Sequence, residues 1–234
     1  MRVLALDTTT RAGSVAIVED DRVIDERGGD DTRTHAERLP GDILAIAEGN
    51  QMPLDSVDLF AVASGPGSFT GLRIGIATLQ GFAFVLGRRM VGVSALEALA
   101  HRASAGLAPG AHVAAWMDAY RHDVFTALYR VTDASPFDPD RLVEMDPPRV
   151  DSPAATWSRW AEQFEVPDVI GGDGAVLYEA IVTPTRVVRP MPLAGAIGLL
   201  AVGYAQRGGA VHPSGIQPLY VRRPDAEIAR DKRS

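Results

Sequence analysis

The sequence predicts an α/β fold built on sheets that are part antiparallel and part parallel. Three observations carry this. Short apolar runs at residues 2–6, 14–18 and 22–25 are separated by tight polar turns, the pattern of an antiparallel meander. From residue 35 to 103 helical and strand-like periods then alternate, which calls for parallel strands covered by helices. Beyond residue 110 the same order returns more faintly, as a degraded duplicate would.

The first run ends at Asp7, and Thr8-Thr9-Thr10-Arg11-Ala12-Gly13 reads as a turn. Thr34 is placed to cap a helix starting near His35, with Glu37 at the third helical position as in a capping box. Leu39, Ile43 and Ile46 recur along it at helical spacing. The apolar strand 57–63 runs into Ser64-Gly65-Pro66-Gly67-Ser68-Phe69-Thr70-Gly71, and a long helix follows to about residue 86. A strand at 91–93 and a helix at 95–103 complete a βββαβαβα order. Gly106 to Gly110, around Pro109, marks the boundary between lobes at 1–104 and 105–234. In the second lobe, strands are expected at 112–117 and 123–131, around the turn Asp118-Ala119-Tyr120-Arg121. Residues 132–153 are rich in Pro and Asp and show no clear period. A helix at 154–164, a strand at 169–170 and a helix near 175–181 follow. The helix 193–207, apolar and glycine-containing, is expected to pack back on the first lobe. An extended stretch at 216–221 and a charged tail from Pro224 end the chain.

Composition excludes several classes. With 234 residues, 46% of them apolar and 23% charged, the chain has material for a core and is not disordered. It has no Cys, so disulfide scaffolds and thiolate metal sites are ruled out. A net charge of −7 argues against a large nucleic-acid grip by this chain alone. The opening apolar run is shorter than the ~7–15 residues of a signal core, and no run reaches the ~20 needed for a bilayer span. A cytoplasmic protein without membrane contact is expected.

Several segments are candidates for chemistry. Asp7 with Thr8, Thr9 and Thr10 fits either a phosphate-binding loop or an Asx-type turn. Asp118 mirrors Asp7 in the second half, and Gly172-Asp173-Gly174 fits a nucleoside-side turn or a plain strand–helix connection. The Gly-rich segment before helix 70–86 lacks the Gly-Lys-Ser/Thr ending of a P-loop. That helix carries Gly71, Gly75 and Gly81 among Leu72, Ile76 and Leu79, and it is apolar nearly all round. Such a surface fits a second buried face against another chain, or a helix contact within the domain. The five histidines have no metal-ligand spacing, so no metal site is expected.

Taken together, the chain resembles the bacterial tRNA threonylcarbamoyladenosine biosynthesis protein TsaB (YeaZ) family. The resemblance rests on Leu4-Ala5-Leu6-Asp7-Thr8-Thr9, on Ser64 through Gly75, on Met117-Asp118-Ala119-Tyr120-Arg121-His122-Asp123-Val124-Phe125, on Gly172-Asp173-Gly174 and on Pro218-Leu219-Tyr220-Val221-Arg222. It implies the actin-like ATPase (ASKHA) fold, two RNase H-like lobes with a groove between them. It also implies a role beside the related subunit TsaD, which transfers threonylcarbamate to the adenosine next to the anticodon of tRNAs reading codons that begin with adenine. A metal-binding His-x-x-x-His of TsaD falls here on Ala95 and Leu99, neither of which ligates a metal. The resemblance therefore implies a noncatalytic subunit that dimerises with and activates TsaD, with the ATPase TsaE docking on the pair and tRNA reached through the complex. Leu39, Ile43, Ile46, Gly71, Leu72, Gly75, Ile76 and Leu79 are the expected partner-binding residues, and alone the same surface is expected to form a homodimer. Asp7, Thr8, Thr9, Thr10, Asp118, Gly172, Asp173 and Gly174 would line a vestigial nucleotide groove. No cofactor is expected on the isolated chain, and ATP or ADP with Mg only within the complex. The alternative is an actin-like ATP-dependent kinase or ATPase; a metalloprotease ranks last, for want of ligands.

Overall fold

The computed structural model describes residues 1–222; residues 223–234, and with them the charged tail expected from Pro224, lie outside the described residues. The first lobe comprises β1 (Arg2–Asp7), β2 (Ser14–Glu19), β3 (Arg22–Gly28), α1 (His35–Gly49), β4 (Leu59–Gly65), α2 (Phe69–Val85), β5 (Arg89–Ser94) and α3 (Ala95–Ala103). Its sheet runs β3-β2-β1-β4-β5. β1 is antiparallel to β2 and parallel to β4, and β4 is parallel to β5.

The second lobe comprises β6 (His112–Asp118), β7 (Val124–Val131), β8 (Leu142–Asp151), α4 (Pro153–Gln163), β9 (Val169–Gly171), α5 (Asp173–Leu177), α6 (Glu179–Val182), β10 (Arg186–Val188) and α7 (Ala194–Gln206). Read from β8, its sheet runs β8-β7-β6-β9-β10, the order of the first lobe repeated strand for strand. The pairing senses repeat too, with β6 antiparallel to β7 and parallel to β9. Two RNase H-like lobes of mixed sheet flanked by helices make this the actin-like ATPase fold.

Burial explains why β1 and β4 read as unbroken apolar runs. Val3 and Ala5 face one side of the first sheet, where α7 packs across β1, β2, β4 and β5. Leu4, Leu6, Phe60 and Val62 face the other side, under α1 and α2. A strand buried on both faces has no polar alternation to show. α3 in turn packs on β6 and β9, so each lobe contributes a helix to the other and one continuous core joins them. A separate cluster around Trp116 and Trp160 lies under α4 to α6.

Two strands went unread in the sequence. β8 lies inside the stretch that shows no period and contains Pro147 and Pro148. It is an edge strand, the one sheet position that tolerates proline, because one side of the backbone needs no ladder partner. β10 is three residues long and forms the opposite edge. The helix expected near 175–181 is broken at Tyr178 into α5 and α6. Residues 216–221 form no strand, although the Leu219 N–H bonds the Ser64 carbonyl at 2.7 Å. Among the described residues, no helix is long and apolar enough to cross a membrane.

Candidate functional site

The lobes meet along a cleft of about 340 Å³ that draws on both strand-end aspartates' neighbourhoods. β1 ends at Asp7, whose Oδ1 accepts the Thr9 N–H at 2.8 Å and the Thr9 hydroxyl at 2.7 Å. Burial pushes the Asp7 carboxyl above the usual carboxylate range, against the pull of these two hydrogen bonds. β6 ends at Asp118, whose Oδ1 accepts the Tyr120 N–H at 2.9 Å, the same two-residue turn repeated in the second lobe. Asp173 Oδ1 accepts the N–H groups of Asp118 and Gly174 at 3.0 and 2.8 Å, tying the end of β6 to the start of α5.

Of the residues expected in the groove, Asp7, Thr9, Thr10, Gly172 and Asp173 line it. Thr8, Gly174 and Asp118 do not. Thr8 is fully buried beneath α2, Gly174 is buried against the β6 backbone, and Asp118 closes its own turn. Leu99, Met117, Met191, Pro192 and Leu193 make an apolar stretch of the remaining wall, which Asp31 and Arg11 also join. Leu99 stands where the resemblance places a metal-binding histidine of TsaD. The cleft's cation is Arg11, whose Nε already donates to the Asp31 carbonyl at 2.6 Å. A triphosphate with Mg needs carboxylate oxygens free for bound water and donors free for phosphate. Asp7 Oδ1 and Arg11 Nε are already engaged within the protein. Among the described residues there is no cluster of three or more His, Asp or Glu side chains able to hold a metal.

The helix residues expected to meet a partner point the other way. Leu39, Ile43, Ile46, Leu72, Ile76 and Leu79 are all buried in the chain's own core against β1, β2 and β4. Gly71 and Gly75 face inward as well. A Cβ on Gly75 would lie 2.2 Å from Thr8 Oγ1, and one on Gly71 2.3 Å from the Thr8 carbonyl oxygen. These glycines let α2 sit directly on the end of β1, a contact within the lobe. The helix surfaces left outside are different ones. Gly41, Leu44 and Ala45 on α1 are exposed, as are Ala77, Gly81, Phe84 and Val85 on α2. A Cβ on Gly41 or Gly81 would meet nothing within 4 Å. Phe84 and Val85 are 69% and 82% exposed, so the excess apolar surface read from the sequence exists, on the opposite side of the helix. What could have found it is the spacing of Gly41 with Ala45 and of Ala77 with Gly81, small residues four apart on one helix face.

Against known proteins, the family model described as TsaD, tRNA N6-adenosine threonylcarbamoyltransferase, matches residues 24–139. The TsaB biosynthesis protein of Bacillus subtilis is 26% identical over 242 residues, covering 97% of this chain and 96% of that protein. Among solved structures, a Pseudomonas aeruginosa protein described as uncharacterized, with similarity to peptidase YEAZ, superposes with a TM-score of 0.77 at 31% identity, covering 94% of this chain and 99% of that one. The chain belongs to the TsaB/YeaZ family. YeaZ of Pseudomonas aeruginosa likewise superposes at a TM-score of 0.74 and 29% identity, covering 94% and 99% of the two chains. The YeaZ likeness thus spans both lobes of this chain.

Proposed function

We propose that this chain is a noncatalytic partner subunit in the cytoplasmic biosynthesis of tRNA threonylcarbamoyladenosine. It binds TsaD through the outer faces of α1 and α2 and activates it, TsaE docks on the pair, and tRNA is reached through the complex. The adenosine modified lies beside the anticodon of tRNAs that read codons beginning with adenine. The observation supporting this most directly is the outward face of the two helices. Gly41 with Ala45 and Ala77 with Gly81 let a second pair of helices approach closely, while Leu44, Phe84 and Val85 give it apolar area to cover. Without TsaD the same face pairs two copies of the chain. The closed Asp7 turn and the apolar stretch of the cleft argue against the kinase or ATPase alternative for the isolated chain. Any ATP or ADP and Mg used by the assembly is held with groups from its other subunits.

Gly81→Arg puts a long charged side chain on that face without touching the core. It is expected to weaken association with TsaD about tenfold or more in titration calorimetry, in the range of a disrupted interface centre. The melting temperature should stay within about 2 °C of wild type, as for a surface substitution. Unchanged affinity would remove α2 from the interface.

A further inference from the structure

A cavity of about 600 Å³ lies where the start of α2 meets the β6–β7 turn and residues 219–222. Its walls are unusual for a surface recess. Phe69 and Tyr220 stack with ring centroids 5.1 Å apart and planes 29° from parallel. The Arg73 guanidinium lies 4.0 Å from the Phe69 ring centroid, and its Nε donates to the Tyr220 hydroxyl at 2.8 Å. Arg73 has no carboxylate partner among the described residues. Tyr120, on the facing turn, is 65% exposed. It opens a run of three non-glycine residues, Tyr120, Arg121 and His122, at φ of 57°, 57° and 65°. The turn is closed by the Tyr120 N–H on Asp118 Oδ1 at 2.9 Å and the Asp123 N–H on the Tyr120 carbonyl at 3.1 Å, which leaves the Tyr120 ring outside.

The groove therefore offers flat π surfaces, and beside them, held against Phe69 and Tyr220 at the rim, a guanidinium with no acid partner among the described residues. The arginines in the lining itself are Arg121 and Arg222, and Arg222 donates to Asp123 and to the Ala119 carbonyl. An acidic peptide would answer Arg73 and leave the rings uncovered; an apolar peptide would do the reverse. An unpaired nucleotide answers both, with a base to stack and a phosphate to accept from the guanidinium. Stacking needs no large basic field, so a contact of this kind is compatible with the chain's net charge of −7.

We propose that this groove takes one or two unpaired RNA nucleotides, stacking a base on Tyr120 and placing a phosphate at Arg73 on its rim. The inference rests on the reading of the chain as part of a tRNA-modifying assembly, and it adds a direct RNA contact to that reading. The test uses the full chain, a fluorescein-labelled single-stranded RNA heptamer and fluorescence anisotropy at low salt. Saturable binding is expected, weakened about tenfold by Tyr120→Ala, as for loss of one stacked base. Arg73→Gln should weaken binding and lower the slope of log K against log salt by about one. Absence of saturable binding, or equal binding by Tyr120→Ala, overturns the proposal. So does Tyr120-dependent binding of a labelled acidic heptapeptide in place of the RNA, which would make the groove a protein-docking site. Association of the same variants with TsaD separates the two readings. RNA binding lost while TsaD binding holds in the wild-type chain sinks the groove assignment only; the converse sinks only the partner assignment.

Discussion

Gly75→Leu is expected to destabilise the first lobe by about 3 kcal/mol, lowering the melting temperature of a chain this size by roughly 10 °C. The reason is the absence of room on the inner side of α2. A Cβ at Gly75 would lie 2.2 Å from Thr8 Oγ1, 2.8 Å from Thr8 Cγ2 and 3.0 Å from Thr8 Cβ. Thr8 cannot retreat, because it is fully buried and its neighbour Asp7 is fixed by the β1–β2 ladder and the Thr9 hydrogen bonds. Leucine would therefore push α2 off the sheet and separate Ile76 and Leu79 from Leu4, Leu6 and Val62. Gly81 supplies the comparison within the same helix. Its Cβ position is open, so Gly81→Ala should gain up to about 1 kcal/mol from helix propensity alone. Circular-dichroism melts of both variants check the pair. A Gly75→Leu protein melting near the wild type would mean that α2 and β1 part easily, and the inward assignment of that face would fail. A Gly75→Leu protein that no longer binds TsaD would say nothing about the interface, because the lobe itself is disturbed.

That contrast shows where sequence reading stops. The meander, the alternation of strands and helices and the duplication were legible because they rest on local signals. β1 and β4 are apolar runs ended by Asp7 and by Gly65, α3 is capped by the Ser94 hydroxyl, and α1 carries the Thr34–Glu37 pair at its start. The paired turns at Asp7 and Asp118 were legible for the same reason: each is a carboxylate at a strand end bonding the N–H two residues on. β8 was hidden because an edge strand can keep Pro147 and Pro148, residues that argue against a central strand. The direction of α2 was hidden because both its sides are small or apolar. Leu72, Ile76, Leu79 and Ala83 go inward while Ala77, Gly81, Phe84 and Val85 stay outside, and only the position of Thr8 decides between them. The aromatic groove unites Phe69, Tyr120 and Tyr220 from three distant parts of the chain, so no motif could announce it.

Acid sensitivity provides a second large effect, centred on His101. This histidine on α3 is 3% exposed, neither ring nitrogen has a hydrogen-bond partner, and its ring stacks on Phe137 at 5.9 Å. Burial is the main reason its pKa is pushed down to about 4, with the Arg141 guanidinium adding to the effect and Asp138 opposing it. Asp138 is itself engaged by Arg207 at 2.6 Å, which limits the help it gives a protonated ring. In the unfolded chain the ring titrates near 6.5. The folded state thus favours neutral His101, and the unfolded chain takes up the proton first as pH falls. The stability tied to this residue is fully present above pH 6.5 and is lost between 6.5 and about 4. At 1.36 kcal/mol per pKa unit, the loss over that window is about 3 kcal/mol. Carboxylates elsewhere also lose stability in acid, so the informative quantity is a difference between two proteins. His101→Phe keeps an aromatic ring beside Phe137 and has nothing to protonate. Between pH 7 and 4.5, urea unfolding should show the wild type losing about 2 kcal/mol more than this variant. Parallel profiles would mean that the loop at 132–141 opens to let water and a counterion reach the ring before the fold gives way. In that case the core between α3 and the loop would be looser than the stacking of His101 on Phe137 implies.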